Sequence, residues 1–509
     1  MPTEKATYTL EIDWDGDGTF EVGEDCSEDR LSAVIERGFV GPLGRRAKIG
    51  TATLTLDNQT RAYSPPLNAS VRPQRQVRLS MTYAGTTDEL YRGYIETIVP
   101  TSGTKRERRV TFTCVDDMER LERYEGPVPL LEHATADAIV DAAVNAVYTP
   151  TATSYQAGIN VFPFSSDRWD GGGAWLARNA IARFSEATAN AADKITAACM
   201  SDWGRFFIAK DGTPTFYNRH QMPLGGSTAL TLDDAMVEMA YEMSVTSVYN
   251  HIAVTCYPRS VGTVYEVLGR LGQGTAPAIE PGQREMFTLY FRDPSNASLR
   301  LGGKNVINPV ANTDYTATTD EPGEGDDATA ALDVSSDVYG DRAEVALENT
   351  GAVVVYVQKL EVRGIGVRVR EPVTVIAQDT ASIATYGRRE LVIDAPLMST
   401  QVQAQALAEY LLDYYKAPLH DVRGVTFFAN KTPTFMAAAR DLELCDRVAL
   451  TESQTGLSAQ PLFIYAIRHV IEPGRIHRVT LDLEQGPDYA GDAWTWDASV
   501  WDGGDVWIY

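Results

Sequence analysis

The sequence predicts a mainly β, multidomain protein, and three observations carry that expectation. The chain has 509 residues, whereas a single hydrophobic core stops growing at roughly 250–300 residues, so about three to five domains are expected. Period-two alternation of apolar and polar residues dominates both ends of the chain. This patterning breaks off near residue 258 and resumes near 366.

In the first region, Tyr8, Leu10 and Ile12 alternate with polar residues, Ala52, Leu54 and Leu56 interleave with Thr51, Thr53 and Thr55, and Val110, Phe112 and Cys114 repeat the pattern. Asp-Gly, Ala-Gly and Ser-Gly turn signals separate these runs, which read as antiparallel strands with one buried face. Residues 1–125 are therefore expected to form a β-barrel or sandwich.

Residues 126–225 read as a small α+β domain. Thr135 can cap a helix with the stripe Ile139, Val140, Ala143, Val144 and Val147, and a second helix over 188–201 turns Ala191, Ile195, Ala198 and Cys199 inward. A hairpin follows, with Lys210-Asp211-Gly212 between strands at 206–208 and 214–217. Strand composition returns over 245–256, and short strands between turn-rich stretches make 258–365 a candidate β-sandwich. Strands resume over 367–376.

The clearest helix covers 400–416. Ser399 is available as its cap, Val402, Ala406, Tyr410 and Tyr414 form one row, Leu407 and Leu411 the next, and Pro418 stops it. Strands are expected beyond it at 422–428, 447–450, 462–470 and 478–483.

Charge narrows the function. Lysine and arginine number 45 against 69 acidic residues, a balance of −24 with a pI near 4.7, which opposes nucleic-acid and anionic-membrane binding. The first residues, MPTEKATYTL, lack a basic segment followed by an apolar one, so synthesis in the cytoplasm without a secretory signal is expected. Apolar runs fall short of the roughly 20 residues a membrane helix needs. The five cysteines lie far apart with no CxxC pair, which favours free thiols over disulfides or a zinc site.

Catalytic signatures are missing: there is no GxSxG, HExxH, Walker loop or GxGxxG following a strand. An enzyme is not expected. His469 and His477 come close in consecutive strands, but a two-residue turn at Pro473-Gly474 would place them on opposite faces. One sharp local pattern remains, DWDGDGTFEVGE from Asp13. It matches calcium-loop spacing, with Asp13, Asp15, Asp17 and Glu24 as oxygen ligands and Gly18 at the turn. A strand rather than a helix precedes it, so the alternative is a hairpin tip whose aspartates close Asx-turns. At the other end, Trp494, Trp496, Trp501, Trp507 and Tyr509 crowd residues 491–509, an aromatic tail suited to packing on its own domain or on a neighbour.

Several segments together resemble the baseplate-hub and tail-tip proteins of tailed bacteriophages. EIDWDGDGTF, RAKIGTATLTLDNQTRAYSP, RPQRQVRLSMTYAGTTDELYRGYIETI and VTFTCVDDMERL are similar to their opening domain, and ADKITAACMSDWGRFFIAKDGTPTFYNRH to their second. SVYNHIAVT, SIATYGRRELVI, QALAEYLLDYYKAPLHDVRGVTF and IYAIRHVIEPGRIHRVTLDL are similar to the later part. The resemblance implies two tail-tube-like β-barrels, one from 1–125 and one from 226–257 plus 366–490, with the sandwich inserted in the second.

It further implies a homotrimeric ring at the virion tail tip that adapts a sixfold tube to threefold symmetry. The implied partners are a tail-tube or distal-tail protein, a tape-measure protein and other tail-tip or fibre proteins. No cofactor is implied beyond the candidate calcium ion, and the acidic balance predicts an acidic or neutral ring lumen. A distal-tail ring component and a secreted carbohydrate-active β protein are the alternatives.

Overall fold

A computed structural model describes residues 5–101, 107–124, 136–147, 160–161, 190–219, 228–272, 274, 276–472 and 476–486. It is mainly β, in several sheets. Alternation produces the strands as expected: in Thr51–Asp57 the residues Ala52, Leu54 and Leu56 are fully buried while Thr53 is exposed, because side chains two apart share a face.

Twelve strands hydrogen-bond into one sheet. Six come from the first region, in the spatial order Thr7–Ile12, Gln76–Tyr83, Thr86–Thr101, Arg109–Val115, Thr51–Asp57, Arg30–Gly38. Arg30–Gly38 then pairs antiparallel with Leu457–Glu472, placing Ala33 opposite Ile471 and Gly38 opposite Ala466. The sheet continues through Ile476–Glu484, His420–Phe428 and Glu238–Met243, and Arg447–Glu452 with Leu230–Leu232 branches from Leu457–Glu472. Six strands from residues 7–115, two from residues 230–243 and four from residues 420–484 thus share one hydrogen-bonded ladder. It curls on itself, since Tyr8 of the first strand in this order is hydrogen-bonded to His477 of the eighth.

Joining the two regions also merges their interiors. Buried apolar side chains from Ala6 to Leu483, including the helices between, form one cluster. A second, separate cluster of Leu268, Phe291, Val345, Val357, Val362 and neighbours belongs to the segment between Leu268 and Val362. The described residues thus form two clusters of buried apolar side chains, and cross-strand pairing at Arg30–Gly38 joins the first and last β regions.

The helices follow their caps. Ala191–Asp202 starts at Asn190, whose Oδ1 accepts from the Asp193 amide at 2.7 Å. Gln401–Tyr415 is capped by Thr400 rather than Ser399, and it buries Ala404, Leu407, Ala408, Leu411 and Tyr415. Val402, expected inward, is 80% exposed. The helix packs on a separate three-stranded sheet, in which His251–Cys256 lies between antiparallel Val373–Gln378 and parallel Glu390–Ala395. Small Ala404 and Ala408 let the helix approach that sheet, so the inward stripe turns toward them and away from Val402.

The strand expected over 245–256 is shorter than its composition suggested. A 3-10 turn occupies Val245–Ser247, and pairing begins at His251.

Candidate functional site

The acidic loop follows strand Thr7–Ile12. The structure brings three of its four expected ligands together: carboxylate oxygens of Asp13, Asp15 and Asp17 lie within 4.8 Å of one another. Glu24 is turned to other work, one oxygen accepting from the Trp14 amide at 2.6 Å and the other from the Glu21 amide at 3.1 Å. Asp13 accepts from the Gly16 and Gly18 amides, Asp15 from the Asp17 amide, and Asp17 from both the amide and the hydroxyl of Thr19. These are the Asx-turn bonds of the hairpin-tip alternative, and they hold Asp17 below the usual carboxylate range.

Gly16 is favoured by its backbone conformation, and any side chain there would have to displace the end of Arg75. Its φ is +83°, and a Cβ there would fall 1.9 Å from the Arg75 guanidinium, a cation already lying against the loop. The second oxygens of Asp15 and Asp17 accept no hydrogen bond among the described residues and could face an ion. Three carboxylates without the bidentate Glu match the weakest class of calcium site, with Kd about 10⁻⁴–10⁻³ M. At about 10 mM calcium such a site would add about 1.4–2.7 kcal/mol of stability. A calorimetric Tm that rises with calcium, and no longer does in Asp15→Ala, is the expected result for an ion site; an unchanged Tm leaves the turn structure alone.

The histidine pair differs from its sequence expectation. His469 and His477 are buried, on the same face, with His469 Nδ1 and His477 Nε2 3.0 Å apart and the Tyr8 hydroxyl 3.0 Å from His477 Nδ1. The reason is register: Glu472 pairs with Ile476, so three residues separate the strands rather than two, and a shift of one residue flips every side chain to the other face. Burial pushes His477 down to about 3, with Arg30 adding to it, and burial, His477, Arg37 and Lys210 hold His469 well below 6.5. Both rings are neutral at pH 7 and act as internal hydrogen-bond links.

One face of the twelve-stranded sheet is rich in threonine, exposed at Thr97 and Thr53 and buried at Thr426. Register aligns Thr97, Thr113 and Thr53 across three strands and continues the row through Val34 and Val470 to Arg478. A parallel row runs Thr51, Glu36, Arg468, Thr480, Thr426, with Glu36 and Arg468 paired at 2.7 Å. Arg468 and Glu36 border a groove of about 450 Å³ where the early and late strands meet, which Lys48 and Asp482 also line. Charges on these rows are few and largely matched.

The remaining expected site residues, Trp494, Trp496, Trp501, Trp507 and Tyr509, lie outside the described residues. All five cysteines are buried free thiols. Among the described residues, no helix is long and apolar enough to cross a membrane.

No protein-family model matches the chain, and no curated protein matches it. Among solved structures it is similar to the tail protein from Neisseria meningitidis MC58, at 9% identity and a TM-score of 0.45, over 94% of this chain and 96% of that one. It is similar to the 43 kDa tail protein of prophage MuSo2 from Shewanella oneidensis at 11% identity and a TM-score of 0.44, over 94% and 98%. It is also similar to prophage tail protein gp18 from Listeria monocytogenes EGD-e at 7% identity and a TM-score of 0.39, over 93% and 94%.

Proposed function

We propose that the chain is a structural, non-catalytic subunit of a phage tail, the hub of the tail tip, closing as a trimeric ring. One observation carries the reading: six strands from residues 7–115 and six from residues 230–243 and 420–484 join side by side in a single ladder. A subunit with two β units of equal strand number supplies six units from three copies, which lets a threefold ring meet a sixfold tube. The sequence resemblance to tail hubs supports the same reading.

The threonine-rich face suits a channel wall. Affinity for DNA grows with the number of phosphates neutralised by lysine or arginine, and here Arg468 is already paired with Glu36. A wall of hydroxyls and matched charges lets a polyanion pass without holding it. In this reading the tail tube or distal-tail protein, the tape-measure protein and fibre proteins are the neighbours, and the aromatic residues of 491–509 anchor on one of them. Light scattering on concentrated protein and the symmetry of the ring in assembled tails are expected to give three copies. Six copies in the ring would overturn the hub assignment in favour of a distal-tail ring.

A further inference from the structure

A cavity of about 40 Å³ lies where strand Arg205–Ile208, the end of helix Gln401–Tyr415 and the end of strand Ile476–Glu484 come together. Two buried arginines, Arg45 and Arg205, stand in its walls. Arg45 and Arg205 are 7% and 2% exposed. Arg205 forms an ion pair with Glu484, and Arg219 lies 3.8 Å from Asp202.

Among the described residues, Arg45 makes no ion pair. Its guanidinium donates to the carbonyls of Pro42 at 2.5 Å, Leu43 at 3.2 Å and Trp203 at 3.4 Å, and stacks on the Trp203 ring at 4.5 Å. Trp203 presents that carbonyl from the left-handed conformation (φ 61°) that ends helix Ala191–Asp202. Among the described residues, Arg45 and Arg205 thus share one carboxylate, Glu484, which leaves one of these two buried positive charges unmatched. Burying an unpaired ion is among the costliest arrangements a fold can contain.

The same place has unused donors. Arg205 donates through Nη2 to the Pro42 carbonyl at 2.9 Å, but its Nε and Nη1 have no hydrogen-bond partner. Both arginines therefore converge on one carbonyl oxygen beside a polar space with room for little more than a few water-sized groups.

We propose that this cavity binds one small monovalent anion of halide size, held between Arg45 and Arg205. The anion supplies the missing charge and accepts from the idle Arg205 donors. Water alone would satisfy the donors and leave the charge. The volume favours a monatomic ion over phosphate or sulfate. The site lies apart from the threonine-rich face and does not depend on the hub reading, so the two can fail separately.

The test uses the full chain. Its Tm in sodium chloride is expected to exceed that in sodium gluconate of equal ionic strength by about 2–4 °C, saturating with chloride. Arg45→Met, which balances the charge count, is expected to melt at the same temperature in both salts. Crystals grown in sodium bromide give an independent readout that needs no variant, an anomalous peak between the two guanidinium groups. A Tm indifferent to the anion overturns the proposal. So does a bromide map with no peak there, or one in which continuous protein density fills the cavity and a side-chain carboxylate is the counter-ion.

Discussion

Acidification from about pH 8 to about pH 5 is expected to narrow the stability difference between the native chain and a His477→Gln variant by about 2 kcal/mol. His477 is neutral in the folded protein because burial and Arg30 depress it to about 3, while in the unfolded chain it takes up a proton near 6.5. The folded-state value is the lower one. The stability this gives is complete above about pH 6.5 and is lost as pH falls toward 3, at about 1.4 kcal/mol per pH unit.

His469, 3.0 Å away, is shifted in the same direction, and no carboxylate figures among the charges acting on either ring. The difference between two proteins is the right readout because other groups run the opposite way. Asp116, buried beside the Gly50 and Met118 amides, is raised to about 8, so its protonated form favours the fold more as pH falls. That contribution is common to both chains and cancels. Urea titrations at the two pH values measure the gap; a gap that does not change with pH removes the histidine link from the acid response.

Lys210→Met is expected to cost about 2–4 kcal/mol. The side chain is 11% exposed, and its ammonium donates to the carbonyls of Arg440 at 2.6 Å and Asp441 at 2.9 Å while pairing with Asp88 at 2.7 Å. One cation thus ties the tip of a hairpin to the last turn of helix Pro433–Asp441 and to strand Thr86–Thr101. Methionine keeps the stem and removes every donor, leaving two carbonyls of a helix end unmet. Asp88 is 40% exposed, so water recovers part of its loss and the estimate stays below that of a fully buried pair. Denaturant unfolding checks the figure, and a loss under about 1 kcal/mol would mean that the three segments hold together without Lys210.

What could be read from the sequence was local. Alternation in Thr51–Asp57 and Arg109–Val115 marked strand and buried face together, and the stripe Ala191, Ile195, Ala198 and Cys199 marked a helix, which starts at Ala191 rather than at 188 because Asn190 caps it. The helix at Gln401–Tyr415 was visible but its inward side was not, because Val402 and Ala404 are both apolar and only the sheet beneath decides between them.

At the sites the same division holds. The spacing of Asp13, Asp15 and Asp17 gathers three carboxylates, whereas Glu24 lies at the right spacing and binds backbone amides instead. The faces of His469 and His477 turned on one residue of connection length. Nothing in the sequence reveals that Arg45 shares the Pro42 carbonyl with Arg205, since Arg205 lies 163 residues beyond Pro42. Pairing of Arg30–Gly38 with Leu457–Glu472 is equally silent, as hydrogen bonds between backbones carry no residue signature.

That last pairing sets a clock on biosynthesis. When strand Arg30–Gly38 leaves the ribosome, one of its edges is covered by Thr51–Asp57 soon afterwards, while the other waits for Leu457–Glu472. At translation rates of roughly 5–20 residues per second, the wait is on the order of 20–80 s. Through that interval the nascent chain exposes a row of unpaired amides and carbonyls, the template on which strands of neighbouring nascent chains can add. Polysomes carrying many copies of one message hold those neighbours close, so the yield of assembled protein depends on how well the early edge is shielded until synthesis reaches its partner.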